Sequence, residues 1–229
     1  MSRQVSKMRI AALLLALLGI ASGAKGQGGP TNYAFVVGSG FLCDSNDSGT
    51  CPSVAKATQG DSYEMSGAGT FDAQAKSVKA TGTYIHKSTT GHALETGIWI
   101  ANELVSFVSY GAAPSLLKKG LGPQPWGPRP RSAPLGPMPT GGLAVLQIVL
   151  LPVSGNPITA ILEVNCALGD VPHERSVEGI RLTLDRSGTS FSEEAGGRVM
   201  FLALRSAAPP QTGNQDHIAV PAVEVQPTQ

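Results

Sequence analysis

Roughly every ten residues, a short run rich in Val, Thr, Ile and aromatic side chains gives way to a cluster of turn formers, and long stretches of helical periodicity are missing. That rhythm most constrains the fold. Strands that each bury one face, reversed by frequent turns, make an antiparallel sandwich or barrel. Glycine (28 residues) and proline (17) supply the turns, and only 14% of the residues are charged. The chain therefore reads as an antiparallel β-sandwich, with a closed, lipocalin-like β-barrel as the alternative.

Two hairpins carry a testable register. In Ser77–Ala101, a three-residue turn at Thr89-Thr90-Gly91 with Gly91 left-handed sets Ser88 opposite His92. Tyr84 then faces Thr96, Gly82 faces Ile98 and Ala80 faces Ile100, so Val78, Ala80, Tyr84, Leu94, Ile98 and Ile100 share one face. In Val145–Cys166, a two-residue turn at Gly155-Asn156 puts Val145, Val149, Leu151 and Val153 on the face of Ile158, Ala160, Leu162, Val164 and Cys166. Cys166 is thereby directed inward. Further strands are expected at 33–38, 62–71, 103–110, 179–185 and 198–204. In the recurring Gly-Thr-aromatic triplets at 69–71 and 82–84, echoed at 97–99, glycine should make room for neighbouring rings.

Residues 1–26 have the form of a secretory signal: Arg3, Lys7 and Arg9 precede an apolar run from Ile10 to Ile20 and a small-residue end. The run is shorter than the ~20 apolar residues needed to span a bilayer. Removing residues 1–24 takes the formal charge from +1 to −2, a balance that gives no support to nucleic-acid binding. Residues 27–205 then form a single all-β domain, 206–229 a disordered tail, and the expected location is secreted or periplasmic with no membrane span after cleavage.

Export decides how the cysteines are read. In an oxidising compartment Cys43 and Cys51, enclosing seven residues, form a disulfide, and Cys166 is a buried free thiol, with a long-range bridge as its rival. The enclosed string also offers Asp44, Asn46, Ser48 and Gly49 at EF-hand-like spacing, but Ala55 stands where the closing glutamate belongs. A disulfide-closed turn is the preferred reading, and no metal or cofactor is assigned.

The runs GAGTFDAQAKSVKATGTYIHK, LETGIWIANELVSFVSYG and LEVNCALGDVP resemble those of uncharacterised exported bacterial proteins, over about Tyr33 to Leu204. The resemblance implies a bacterial origin and carries no activity.

Catalytic patterns are weak. Ser53/Lys56 and Ser115/Lys118 match S-x-x-K without the partner motifs that chemistry needs. Glu193 and Glu194 are adjacent, so a strand points them to opposite faces rather than across a cleft. His86 and His92 fall diagonally on one face of the first hairpin, and HERSV lacks the second histidine of a zincin. The chain is therefore read as a non-catalytic protein with a binding or structural role; the alternatives are a small-ligand-binding barrel or a secreted hydrolase with a loop-assembled site. The binding candidate is the crossover loop 111–142, with eight prolines, four cations and no acid. Its Lys118, Lys119, Trp126, Arg129 and Arg131 suit an acidic protein or envelope polymer as partner.

Overall fold

The computed structural model describes residues 31–113, 137–185 and 187–204. They are almost entirely antiparallel strand: β1 (Asn32–Val37), β2 (Ser53–Lys56), β3 (Ser62–Asp72), β4 (Ser77–Lys87), β5 (Ala93–Ala112), β6 (Met138–Pro152), β7 (Ile158–Cys166), β8 (Gly179–Leu184), β9 (Ser190–Phe191), β10 (Glu193–Gly196) and β11 (Val199–Leu204). The helical content of the described residues is limited to short 3-10 turns. All-β architecture, sandwich-like and antiparallel throughout, is what the turn rhythm of the sequence demanded.

Strands β3, β4, β5 and β6 form a meander of long neighbours. Along one edge of β3, β2 pairs with Ser62–Met65 and β1 with Gly67–Asp72. Along one edge of β6, β11 pairs with Met138–Thr140 and β7 with Gly142–Leu150. Because β1 also pairs with β11, the hydrogen-bonded order closes into a circuit at that end. At the other end β10 extends β2, and β8 and β9 extend β7, so two sheet edges face each other through side chains.

The first hairpin keeps its turn and shifts its register. Ser88 N–H donates to the His92 carbonyl at 2.9 Å, and Gly91 has φ +83°. A bulge between His86 and Lys87 then slips the pairing, so that Tyr84 faces Gly97, Gly82 faces Trp99 and Thr81 faces Ile100. One extra residue on one strand exchanges the faces of everything beyond it. Leu94, Ile98 and Ile100, expected inside, are exposed, and Trp99 and Ala101 are buried instead. Glycine provides the space for this exchange: a Cβ on Gly67 or Gly82 would collide with the Trp99 ring, and one on Gly97 with Tyr84. Trp99 Nε1 donates to the Ser66 carbonyl at 3.1 Å, which satisfies the buried indole N–H.

The second hairpin is corrected on one strand only. Leu150 faces Ile158 and Leu146 faces Leu162, so the loop is wider than two residues. The β7 face of Ala160, Leu162, Val164 and Cys166 is buried as expected, whereas β6 buries Ala144, Leu146, Ile148 and Leu150 in place of Val145, Val149 and Leu151. Strand β6 is apolar on both faces, so alternation alone does not choose between them. Gln147, which shares parity with Val145 and Val149, was the available signal: an inward Gln147 would need buried partners.

The strand expected at 103–110 is the second half of β5. There the inward residues Ala101, Leu104, Phe107 and Tyr110 recur every third position, through register shifts at 101/103, 104/106 and 109/111. Repeated bulges bend a strand, and they let β5 follow the circuit for 20 residues. The interior is filled: Trp99, Tyr63, Tyr84, Phe35 and Phe201 are each at most 1% exposed.

Candidate functional site

Cys43 and Cys51 are disulfide-bonded, with Cα atoms 5.3 Å apart. The aspartates between them act within the loop. Asp44 Oδ1 accepts from Asn46 N–H at 2.9 Å, and Asp47 Oδ1 accepts from Gly49 N–H at 3.0 Å; both are Asx turns, the ordinary use of such residues. Gly197 and Arg198 N–H groups donate to the carbonyls of Gly49 and Thr50, each at 2.9 Å. The loop thus fastens the entry of β2 to the turn between β10 and β11. Cys166 is free and fully buried. Burial, with Glu178 nearby, pushes its thiol up to about 12, which leaves it neutral and a poor nucleophile.

The connection between β5 and β6 is not a crossover. Ala112 pairs with Thr140, so the chain leaves and re-enters at hydrogen-bonded neighbours, and residues 111–112 and 138–142 are strand. Lys118, Lys119, Trp126, Arg129 and Arg131 lie outside the described residues.

The densest group of titratable side chains sits at the open end. Tyr84 donates its hydroxyl to Glu95 Oε1 at 2.7 Å. His86 stacks on Tyr63, centroids 4.5 Å apart and 8° from parallel, and Phe191 meets the His86 ring edge-on at 6.0 Å. Burial lowers the imidazole's pKa, partly offset by Asp61 and Glu95, and raises Tyr63 to about 12, with Glu95 adding to the rise. Tyr84 is raised further by the same burial and by its bond to Glu95. These groups are held neutral, one proton is committed to a carboxylate, and two rings cover the imidazole. No cluster of three or more His, Cys, Asp or Glu that could hold a metal ion occurs among the described residues.

Several other charged groups are tied into the framework. Lys87 Nζ lies 2.6 Å from Glu64, Arg175 pairs with Glu163 at 3.3 Å, and Arg181 with Glu194 at 2.7 Å. Asn165, buried, accepts from the Tyr110 hydroxyl at 3.0 Å and donates to the Arg175 and Val177 carbonyls, pinning the β7–β8 loop to the end of β5. Glu193 and Glu194 part as expected: Glu193 is exposed and Glu194 turns toward Arg181.

Two surfaces remain. An open groove of about 360 Å³ lies at the closed end, lined by Tyr33, Phe71, Asp72, Val78, Lys79 and Leu204. The larger feature is the outer face of β5 and β6, where Ile98 stands opposite Leu151 and Ile100 opposite Val149. Ile98 is 45% and Val108 55% exposed. Sequence reasoning missed this face because the β5 bulge and the β6 parity choice jointly create it.

Comparison of the chain with known protein families, with curated proteins and with solved structures finds no match in any of the three. No helix among the described residues is long and apolar enough to cross a membrane.

Proposed function

We propose that this chain is an exported bacterial protein that acts by binding or as a structural component, without catalysis. The observation carrying this reading is the contrast between a filled interior and exposed aliphatic side chains on the outer face. A lipocalin-like carrier needs an internal cavity for its ligand, and here Trp99, Tyr63 and Tyr84 occupy the positions where one would lie. Exposed aliphatic side chains on the outside of β5, Ile98, Ile100, Val105 and Val108, favour contact with another macromolecule. The Cys43–Cys51 disulfide supports an oxidising compartment, secreted or periplasmic. Within this reading the cationic stretch with Lys118, Lys119, Trp126, Arg129 and Arg131 binds an acidic protein or envelope polymer.

Two measurements test it. In bacterial cells expressing the full chain, the protein should fractionate with the periplasm or medium, shortened at its N-terminus; retention at full length in the cytosol would contradict export. Purified protein should turn over no ester, glycoside or peptide in a substrate panel, and should bind anionic envelope polysaccharide less well when residues 121–136, which precede β6, are deleted. Turnover, or equal binding by the deletion variant, overturns the corresponding half of the proposal.

A further inference from the structure

Among the described strands β9 is the shortest, and it closes the seam at the open end. It pairs with β8 at only two positions, Leu182 with Phe191 and Thr183 with Ser190, so little backbone hydrogen bonding holds it. What seats it is Phe191, 2% exposed, whose ring meets Tyr63 edge-on at 4.8 Å and stands at right angles to His86 at 6.0 Å. Tyr63 and His86 are cross-strand partners on β3 and β4, with their rings 4.5 Å apart and 8° from parallel. Three rings from three strands thus bridge the gap between the two sheet edges, and only the imidazole among them takes up charge between pH 5 and 8.

We propose that His86 is an acid-sensitive latch: neutral, it lets the three rings close the seam, and protonated, it releases Phe191 and lets β9 open away from β3 and β4. His86 Nε2 is buried and has no hydrogen-bond partner among the described residues. An imidazolium carries a proton on both ring nitrogens, so protonation turns that position into a charged donor shut away from water. Both carboxylates near it are already engaged. Glu95, its cross-strand partner on β5, accepts from the Tyr84 hydroxyl at 2.7 Å, and Asp61, in the β2–β3 loop, accepts from Thr89 N–H at 2.9 Å. The other elements around the ring present Tyr63 from β3 and Phe191 from β9; on β4 itself Tyr84 shares its face, and Lys87 turns outward to Glu64 at 2.6 Å. Burial outweighs the attraction of Asp61 and Glu95 and holds the imidazole's pKa below its usual value. That is the sign a latch requires: the open form takes up the proton more readily than the closed one, so acid favours opening.

Of the elements around the imidazole, β9 is the one that yields. Strands β3 and β4 are paired along their whole length, and β5 continues the ladder from β4; moving β9 breaks only its two pairs with β8. Local opening draws on the segment held by the fewest contacts. On one side of β9 the turn is fixed by Leu184 N–H on the Thr189 carbonyl and Gly188 N–H on the Leu184 carbonyl, each at 3.0 Å. On the other side β10 is fixed by its ladder to β2 and by Arg181–Glu194 at 2.7 Å. The strand between them therefore opens as a short flap hinged at both ends, without unravelling the sheet. A single imidazole that titrates near 6.5 in the open form raises the open population by at most about 10-fold at pH 5.5.

Residue-resolved amide hydrogen exchange of the chain lacking residues 1–24, at about pH 7.5 and pH 5.5 with intrinsic rates divided out, tests this. Protection of the β8–β9 ladder should fall about 3–10-fold on acidification, while that of the β1–β11 ladder stays within about 2-fold. His86→Phe keeps a ring in the stack and removes the titration, so β9 protection should then be the same at both pH values. If that variant loses its cooperative melting transition, Phe191→Leu takes its place. It uncovers the imidazole, and the His86 pKa, followed through its ring-proton resonances, should rise from the parent's lowered value toward about 6.5. Unchanged β9 protection in the parent overturns the proposal, as does an equal fall in β1 and β11. A fall that His86→Phe retains, or a His86 pKa that Phe191→Leu leaves unmoved, overturns it as well. Neither turnover nor polymer binding enters this measurement, so the latch and the binding reading fail separately.

Discussion

The two ends of the sandwich are held by different forces. At the closed end β1 and β11 exchange backbone hydrogen bonds along their whole length, and five rings, Tyr33, Phe35, Phe71, Phe107 and Phe201, pack beneath them with neighbouring centroids 4.6–6.2 Å apart. At the open end no ladder joins β2 and β10 to β8 and β9; Arg181–Glu194 and the Tyr63–His86–Phe191 stack span the gap instead. A backbone ladder satisfies its polar groups in a way that pH does not alter between 5 and 8. Side chains used for the same task bring titratable groups with them. The open end should therefore sense pH and charge, while the closed end should respond only to volume.

The largest effect is expected at the closed end. Phe201→Ala removes a fully buried ring from the five-ring cluster and should cost about 3–5 kcal/mol, equally at pH 5 and pH 8. Denaturant unfolding measures both, and a pH-dependent cost would erase the contrast between the ends. Replacing Cys43 and Cys51 together with alanine should cost about 2–3 kcal/mol, because the cross-link removes loop entropy from the unfolded chain. The loop delivers the chain into β2, so hydrogen exchange should rise first in β2 and β10; a rise first in β1 and β11 would place the strap at the wrong end.

Smaller effects sharpen the open end. Glu194, only 7% exposed at its side chain, anchors Arg181, and Glu194→Gln should cost about 1–2 kcal/mol, less in high salt. A salt-insensitive cost would mean that packing, rather than charge, joins β8 to β10. The smallest effect belongs to His86. Its pKa is lowered in the fold, so the unfolded chain, with its imidazole near 6.5, takes up the proton first as pH falls. The neutral imidazole's contribution is complete above that value and is lost as pH falls from about 6.5 through the folded pKa. His86→Phe should then flatten the melting temperature between pH 7 and 5 by about 1–2 °C. An unchanged slope would mean that the stacked imidazole is not sensed.

How much was legible in the sequence varies strand by strand. The β1, β3, β8 and β11 runs, the Gly91 turn, the disulfide and the burial of Cys166 all follow from local composition and short-range chemistry. The short edge strands β2, β9 and β10 do not, because two to four residues carry no readable period. The outer apolar face was beyond reach, since it depends on where β5 bulges and which half of β6 turns inward.

The sequence by itself determined that the chain is all-β, where most strands and turns fall, and which cysteines bond, because these depend on residue type and spacing over a few positions. Only the tertiary structure decided register. A one-residue bulge costs little locally, yet it exchanged Ile98 and Ile100 for Trp99, and Gly67 and Gly82, from two other strands, supply the space that makes the exchange possible. The inward face of β6 was decided likewise by its neighbours: both faces are apolar, and the partners on β5 and β7 select between them.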